Sequence, residues 1–120
     1  MTTTTRLFKN SAGGLPVTAG TAVFRAGDPA EHMFVVQDGK LEISVGGQIV
    51  EIVGPGGIFG EMAMIDGSTR SADAIAAEDS VILAIDGKKF DYLITDTPFF
   101  ARTVMNVLVE RLRAANSSCT

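Results

Sequence analysis

GPGGIFGEMAMIDGSTRSA, running from Gly54 to Ala72, parts two runs of strand-like sequence. It is far longer than a hairpin loop and too patterned for a linker. Glycines crowd its first half. After Gly60, Glu61-Met62-Ala63-Met64-Ile65 can open a short helix. Small and polar residues then lead to Arg70, the only Lys or Arg between Lys40 and Lys88. The segment therefore combines free helix-start amides, one carboxylate and one isolated guanidinium inside what is otherwise a β domain.

The flanks set that β context. From Leu15 onward, short apolar stretches are cut at Ala19-Gly20, Gly27-Asp28-Pro29, Asp38-Gly39, Gly46-Gly47 and Gly54-Pro55-Gly56-Gly57, a spacing that suits a sandwich or barrel. Asp38-Gly39 and Gly46-Gly47 are two-residue loops of the hairpin kind. Leu41, Ile43 and Val45 alternate with Glu42 and Ser44 between them, so Met33 to Val53 is expected to form a three-strand meander. Past the insert, Ala74 to Ala77 and Val81 to Ile85 read as further strands. Thr97-Pro98 then places a capping hydroxyl before a proline at the first helical position. Ala101, Val104, Met105, Leu108 and Leu112 follow at helical spacing, predicting a helix over Pro98 to Ala115 after a shorter one over Lys88 to Thr95. Strands first and helices last make the fold mainly β, of the α+β kind. Residues 1–14 read as a flexible arm with one short helical turn, 15–115 as the domain, and 116–120 as a disordered tail.

Composition narrows the function. The 120 residues, 46% hydrophobic and 20% charged, fit one domain with a real core. Ten Lys and Arg against 14 Asp and Glu give a net charge of -4, the wrong sign for a nucleic-acid surface. No apolar run reaches membrane-spanning length, and the first residues form no secretory pattern; a cytoplasmic protein is expected. His32 is the only histidine and Cys119 the only cysteine, so disulfides, structural zinc and a Cys/His nucleophile pair lack partners within one chain. No cofactor and no metal site are expected, and the chain does not read as an enzyme.

The first amides of a helix have no partner in the chain and carry partial positive charge, so such an end receives anions. An isolated guanidinium beside them suits one phosphate. Glu61 would repel that phosphate at the same point. The pair therefore fits a ligand that presents a phosphate and, a few ångströms away, a hydroxyl for the carboxylate; a nucleotide sugar phosphate has both. Glu61 in a first helical turn is also favoured by the helix dipole with nothing bound, by about 0.3–1 kcal/mol. The glycines match neither known phosphate motif: Gly54-Pro-Gly-Gly lacks the Lys-Ser/Thr ending of a P-loop, and Gly57 to Gly60 lacks the dinucleotide-binding spacing.

Phe59-Gly60-Glu61-Met62-Ala63-Met64 and Arg70-Ser71-Ala72 together resemble the phosphate-binding cassette of the cyclic nucleotide-binding domain family. Upstream, Val23-Phe24-Arg25-Ala26-Gly27-Asp28-Pro29, Met33 to Val36 and Asp38 to Leu41 are similar to that family's opening strands, so the likeness runs from about Val17 to Ile94. Thr69 stands where the family commonly has proline, and the Leu15 to Val23 region is shorter than the family's N-terminal layer. The resemblance implies an eight-stranded antiparallel β roll, jelly-roll-like, with the short cassette helix inside it and two C-terminal helices acting as hinge and lid. It implies that Glu61 receives the ribose 2′-hydroxyl and Arg70 the exocyclic phosphate oxygens. Gly60, Met62, Ala63 and Ser71 match the family's backbone donors, Ala72 completes the motif, and Arg111 is the candidate for covering the purine by stacking.

On this basis the expected function is a stand-alone receptor domain for a cyclic nucleotide, cAMP in preference to cGMP, that signals to a protein effector in trans. It is expected to be a monomer or weak homodimer, with Phe99, Phe100 and Val107 as candidates for pairing two chains, and to bind neither nucleic acid nor membrane. The alternatives are a structural or interaction domain with a non-functional cassette, and the regulatory fragment of a longer channel, kinase or transcription factor.

Overall fold

The computed structural model describes residues 13–118; the expected arm up to residue 12 and Cys119 lie outside them. Eight strands form two four-stranded antiparallel sheets. The strands are β1 (Leu15–Val17), β2 (Ala22–Phe24), β3 (His32–Asp38), β4 (Leu41–Val45), β5 (Gln48–Val53), β6 (Ile58–Phe59), β7 (Asp73–Ala76) and β8 (Ser80–Asp86). One sheet has the order β1-β8-β3-β6, the other β2-β7-β4-β5. Among the described residues three helices accompany them: α1 (Glu61–Asp66), α2 (Gly87–Asp96) and α3 (Pro98–Ser118). This is the eight-stranded roll with one internal and two C-terminal helices.

The expected three-strand meander is divided between the sheets. β3 pairs with β6 and β8, whereas β4 pairs with β5 and β7. Asp38-Gly39 is therefore a corner where the chain changes sheets. Gly39 sits at φ 91°, and a Cβ there would run into the Ser80 side chain, which accepts a hydrogen bond from the Lys40 amide at 3.1 Å. Gly46-Gly47 does close a hairpin: Val45 faces Gln48, and both glycines have positive φ, as a mirror-image hairpin turn requires.

The β1-β8-β3-β6 sheet is covered on both faces. Met33, Val35, Leu83 and Ile85 pack with Leu93 of α2 and with Phe100 and Val104 of α3. Val36 and Ile82 turn to the other side and pack with Phe24, Leu41, Val53 and Phe59 inside the roll. Double burial explains why β3 and β8 read as unbroken apolar runs while β4 alternates.

α2 begins where Asp86 accepts a hydrogen bond from the Lys89 amide at 2.8 Å. α3 continues through Ser118, so residues 116–118 are helix where a disordered tail was expected. Its inner stripe is Phe100, Val104, Val107 and Leu108, rotated from the expected one: Met105 and Leu112 are exposed. Phe100 and Val107 thus belong to the domain's own core, and only Phe99 of the candidate pairing residues is exposed.

Candidate functional site

Gly60 opens α1 in the left-handed region, at φ 76°, and no side chain caps the helix start. A Cβ at Gly60 would lie 2.7 Å from Arg70 Nη1 and 3.1 Å from Phe24 Cε2, so conformation and close approach both demand glycine. The turn delivers Glu61 into the roll, where it is 1% exposed. Arg70 arrives from the other end of the loop and is 5% exposed. Its backbone is stapled to the turn before β3: the Gly27 amide donates to the Arg70 carbonyl at 2.8 Å, and the Arg70 amide donates to the Asp28 carbonyl at 2.9 Å.

The Arg70 side chain crosses the roll interior. Nη1 donates to the Gly60 carbonyl and Nη2 to the His32 carbonyl, each at 2.5 Å. The guanidinium carbon is 4.1 Å from the centre of the Phe24 ring and 5.7 Å from that of Phe34, distances at which a cation is attracted to the ring face. Burial pulls the guanidinium pKa below its ordinary value, and the charge of Asp28 opposes that shift. The group remains a cation at neutral pH.

Arg111 enters from α3. It pairs with Glu61 through Nη1 and with Glu51 on β5 through Nε and Nη2 at 3.1 and 3.0 Å, and Nη2 also donates to the Ile58 carbonyl at 3.0 Å. Arg111 therefore sits on the carboxylates, while Ala114 and Ala115 are what α3 presents to the rest of the cavity wall.

Gly60 to Ala63, Arg70 to Ala72 and Arg111, the residues singled out in the sequence, all line one cavity of about 390 Å³. Phe24, Ile43, Val45, Val50 and Glu51 complete much of the wall. These are the residues that sequence reasoning missed. For Glu51 a clue existed: in β5 it alternates onto the same face as Val53, which is buried, and a carboxylate on a core-facing position needs a partner. Among the described residues, two buried side-chain polar atoms have no hydrogen-bond partner, Glu61 Oε2 and Arg70 Nε. One is an acceptor and the other a donor, both in residues that line this cavity.

Comparison with known proteins bears on this arrangement. The family described as the cyclic nucleotide-binding domain matches residues 15–97. The cyclic AMP receptor protein of Thermus thermophilus is 35% identical over 102 residues, which cover 81% of this chain and 47% of the relative. The chain spans at most about half the length of the first curated relatives it matches. The solved catabolite activator protein of Thermus thermophilus superposes with a TM-score of 0.79 at 32% identity, covering 89% of this chain and 53% of that one. A second solved structure, described in terms of a cyclic-GMP-dependent signalling pathway that regulates bacterial phytopathogenesis, also gives 0.79, at 28% identity, with 94% and 95% of the two chains covered.

Proposed function

The chain belongs to the cyclic nucleotide-binding domain family, and on that premise we propose that it is a receptor for a purine cyclic nucleotide, cAMP before cGMP, that performs no chemistry on its ligand. The observation that carries the reading is the pair of unsatisfied atoms. A buried donor or acceptor without a partner costs about 1–3 kcal/mol, so a protein that keeps one of each in residues lining one cavity gains by admitting a ligand that satisfies both. A phosphate oxygen accepts from Arg70 Nε, and a ribose hydroxyl donates to Glu61 Oε2. The volume of about 390 Å³ falls in the range of small-molecule sites.

In this reading the amides of Gly60, Met62, Ala63 and Ser71 add donors around the phosphate, and Ala72 keeps the wall close. Ile43, Val45 and Val50 on one side and Ala114 and Ala115 on the other offer an apolar slot for the base. Arg111, expected to stack on the purine, instead pairs with Glu61 and Glu51 at the carboxylate end of the cavity, and α3 as a whole is the lid. Support for cAMP comes from the Thermus thermophilus receptor's name, and support for cGMP as second ligand from the cyclic-GMP pathway structure. A cytoplasmic location and an effector reached through α2 and α3 complete the proposal; no helix among the described residues is long and apolar enough to cross a membrane.

Isothermal titration of the protein with cAMP, cGMP and 5′-AMP tests this. Saturable one-to-one binding of a cyclic nucleotide, weaker for the open-ring monophosphate, is expected. Absence of saturable heat with both cyclic nucleotides would leave the domain as a structural module with a silent cassette.

A further inference from the structure

Among the described residues, the last part of α3 buries no apolar side chain. Phe100, Val104, Val107 and Leu108 hold the first half to the core, but from Val109 to Asn116 every described residue is exposed except Arg111. A charged fork grips this half, beside the contacts of Arg111 with Glu61 and the Ile58 carbonyl. Glu51 belongs to β5, which among the described residues is a sheet edge paired only with β4, and both of its carboxylate oxygens accept from Arg111, Oε1 at 3.1 Å from Nε and Oε2 at 3.0 Å from Nη2. The two side chains are 41% and 20% exposed, so water only partly competes. Such two-pronged pairs fix orientation as well as distance.

The position of this pair matters as much as its strength. Glu51, Arg111, Val50 and Ala114 line both the cavity of about 390 Å³ and a second one of about 580 Å³ between α3 and the loop after β5. The Glu51–Arg111 fork is part of the wall between them. If Arg111 let go of β5, the wall would open and Ala114 and Ala115 would leave the smaller cavity.

We propose that Glu51 is a positioning residue that seats the second half of α3 over the ligand cavity, by holding Arg111 in register with Glu61, and so sets how long a bound nucleotide stays. Residence time rests on the cyclic-nucleotide reading above; the seating of α3 does not. Glu51 itself needs no contact with ligand. Its loss acts mainly on release, because affinity changes within one site appear mostly in off-rates.

The test uses the whole chain, a fluorescent cAMP analogue in stopped flow, and amide hydrogen exchange of the empty protein. Glu51→Gln keeps the shape and removes the charge at a part-exposed position. It should raise the off-rate about tenfold with the on-rate within about twofold, and should speed exchange over residues 109–116 without ligand. In an Arg111→Met background the same change should add nothing, since Glu51 acts only through Arg111. An off-rate within twofold of wild type, or the same increase in both backgrounds, overturns the residence-time role. Unchanged exchange over residues 109–116 overturns the seating. If wild type binds no cyclic nucleotide, the receptor reading falls, and the exchange experiment still decides whether Glu51 seats α3.

Discussion

Arg70 holds its guanidinium carbon 4.1 Å from the centre of the Phe24 ring while donating to the carbonyls of Gly60 and His32. The residue proposed for the phosphate is thus also a brace between the cassette turn and β3. Arg70→Ala should reduce cyclic nucleotide affinity by roughly 30-fold to several thousand-fold, the cost of truncating one partner of a desolvated charge pair. It should also cost about 1–3 kcal/mol of stability through two abandoned carbonyls. Arg70→Lys keeps the charge but cannot span both, and should recover only part of each loss. Titration beside urea unfolding separates the two effects; affinity within about threefold of wild type would remove Arg70 as the anchor.

Glu61 Oε2 is buried without a hydrogen-bond partner while Oε1 is paired with Arg111. Glu61→Gln should weaken cAMP by about 1.5–3 kcal/mol, the worth of a hydrogen bond to a charged group. The sharper measurement compares cAMP with its 2′-deoxy analogue. Wild type should discriminate between them and the variant should not; equal discrimination in both proteins would place the ribose elsewhere.

Gly60 and Gly67 form a controlled pair. Both have left-handed backbones, φ 76° and 73°, but a Cβ at Gly67 meets nothing within 4 Å, whereas at Gly60 it meets Arg70 and Phe24. Either change to alanine should cost about 1–2 kcal/mol from the backbone alone. Only Gly60→Ala should also lower ligand affinity, by more than about tenfold, because it displaces the guanidinium. Denaturant unfolding and titration of the two variants check this, and a similar affinity loss in Gly67→Ala would contradict it.

Base selectivity should be small. The slot between Val45, Val50 and Ala114 is apolar, and among the described lining residues Ser71 is the only hydroxyl. cAMP should bind more tightly than cGMP by less than about tenfold, or ~1.4 kcal/mol. Competition titration measures it directly; a preference for cGMP above that ratio would reverse the assignment and make Ser71→Ala the next variant to examine.

Half of the cavity's lining residues were legible, chiefly where they are contiguous in the chain. Glu61, Arg70 and their neighbours fall within one loop, where spacing along the chain approximates spacing in space. Glu51 was not legible in this way, since its partner Arg111 lies on a helix sixty residues later and only tertiary packing brings them together. Local rules also failed at Asp38-Gly39. A two-residue turn looks the same in sequence whether it closes a hairpin or passes from one sheet to another, and what decides is the pairing of β3 with β8 and of β4 with β7, partners far along the chain. The α3 stripe was misplaced for a related reason. Its apolar residues occupy more than one face, and periodicity alone does not say which face meets Met33 and Val35.

The strand order has a kinetic corollary. Leu15 meets Ile82 and Ala22 meets Ile75, so each sheet must join opposite ends of the β region before it is complete. Domains dominated by such distant pairings fold in roughly milliseconds to seconds, far more slowly than helical bundles. Phe24 ends β2, beside Ala74 of β7, and the guanidinium over its ring waits on that closure. A partly folded chain therefore has no assembled form of the proposed site, and a ligand of that site added during refolding should draw the population toward the native state without holding an intermediate.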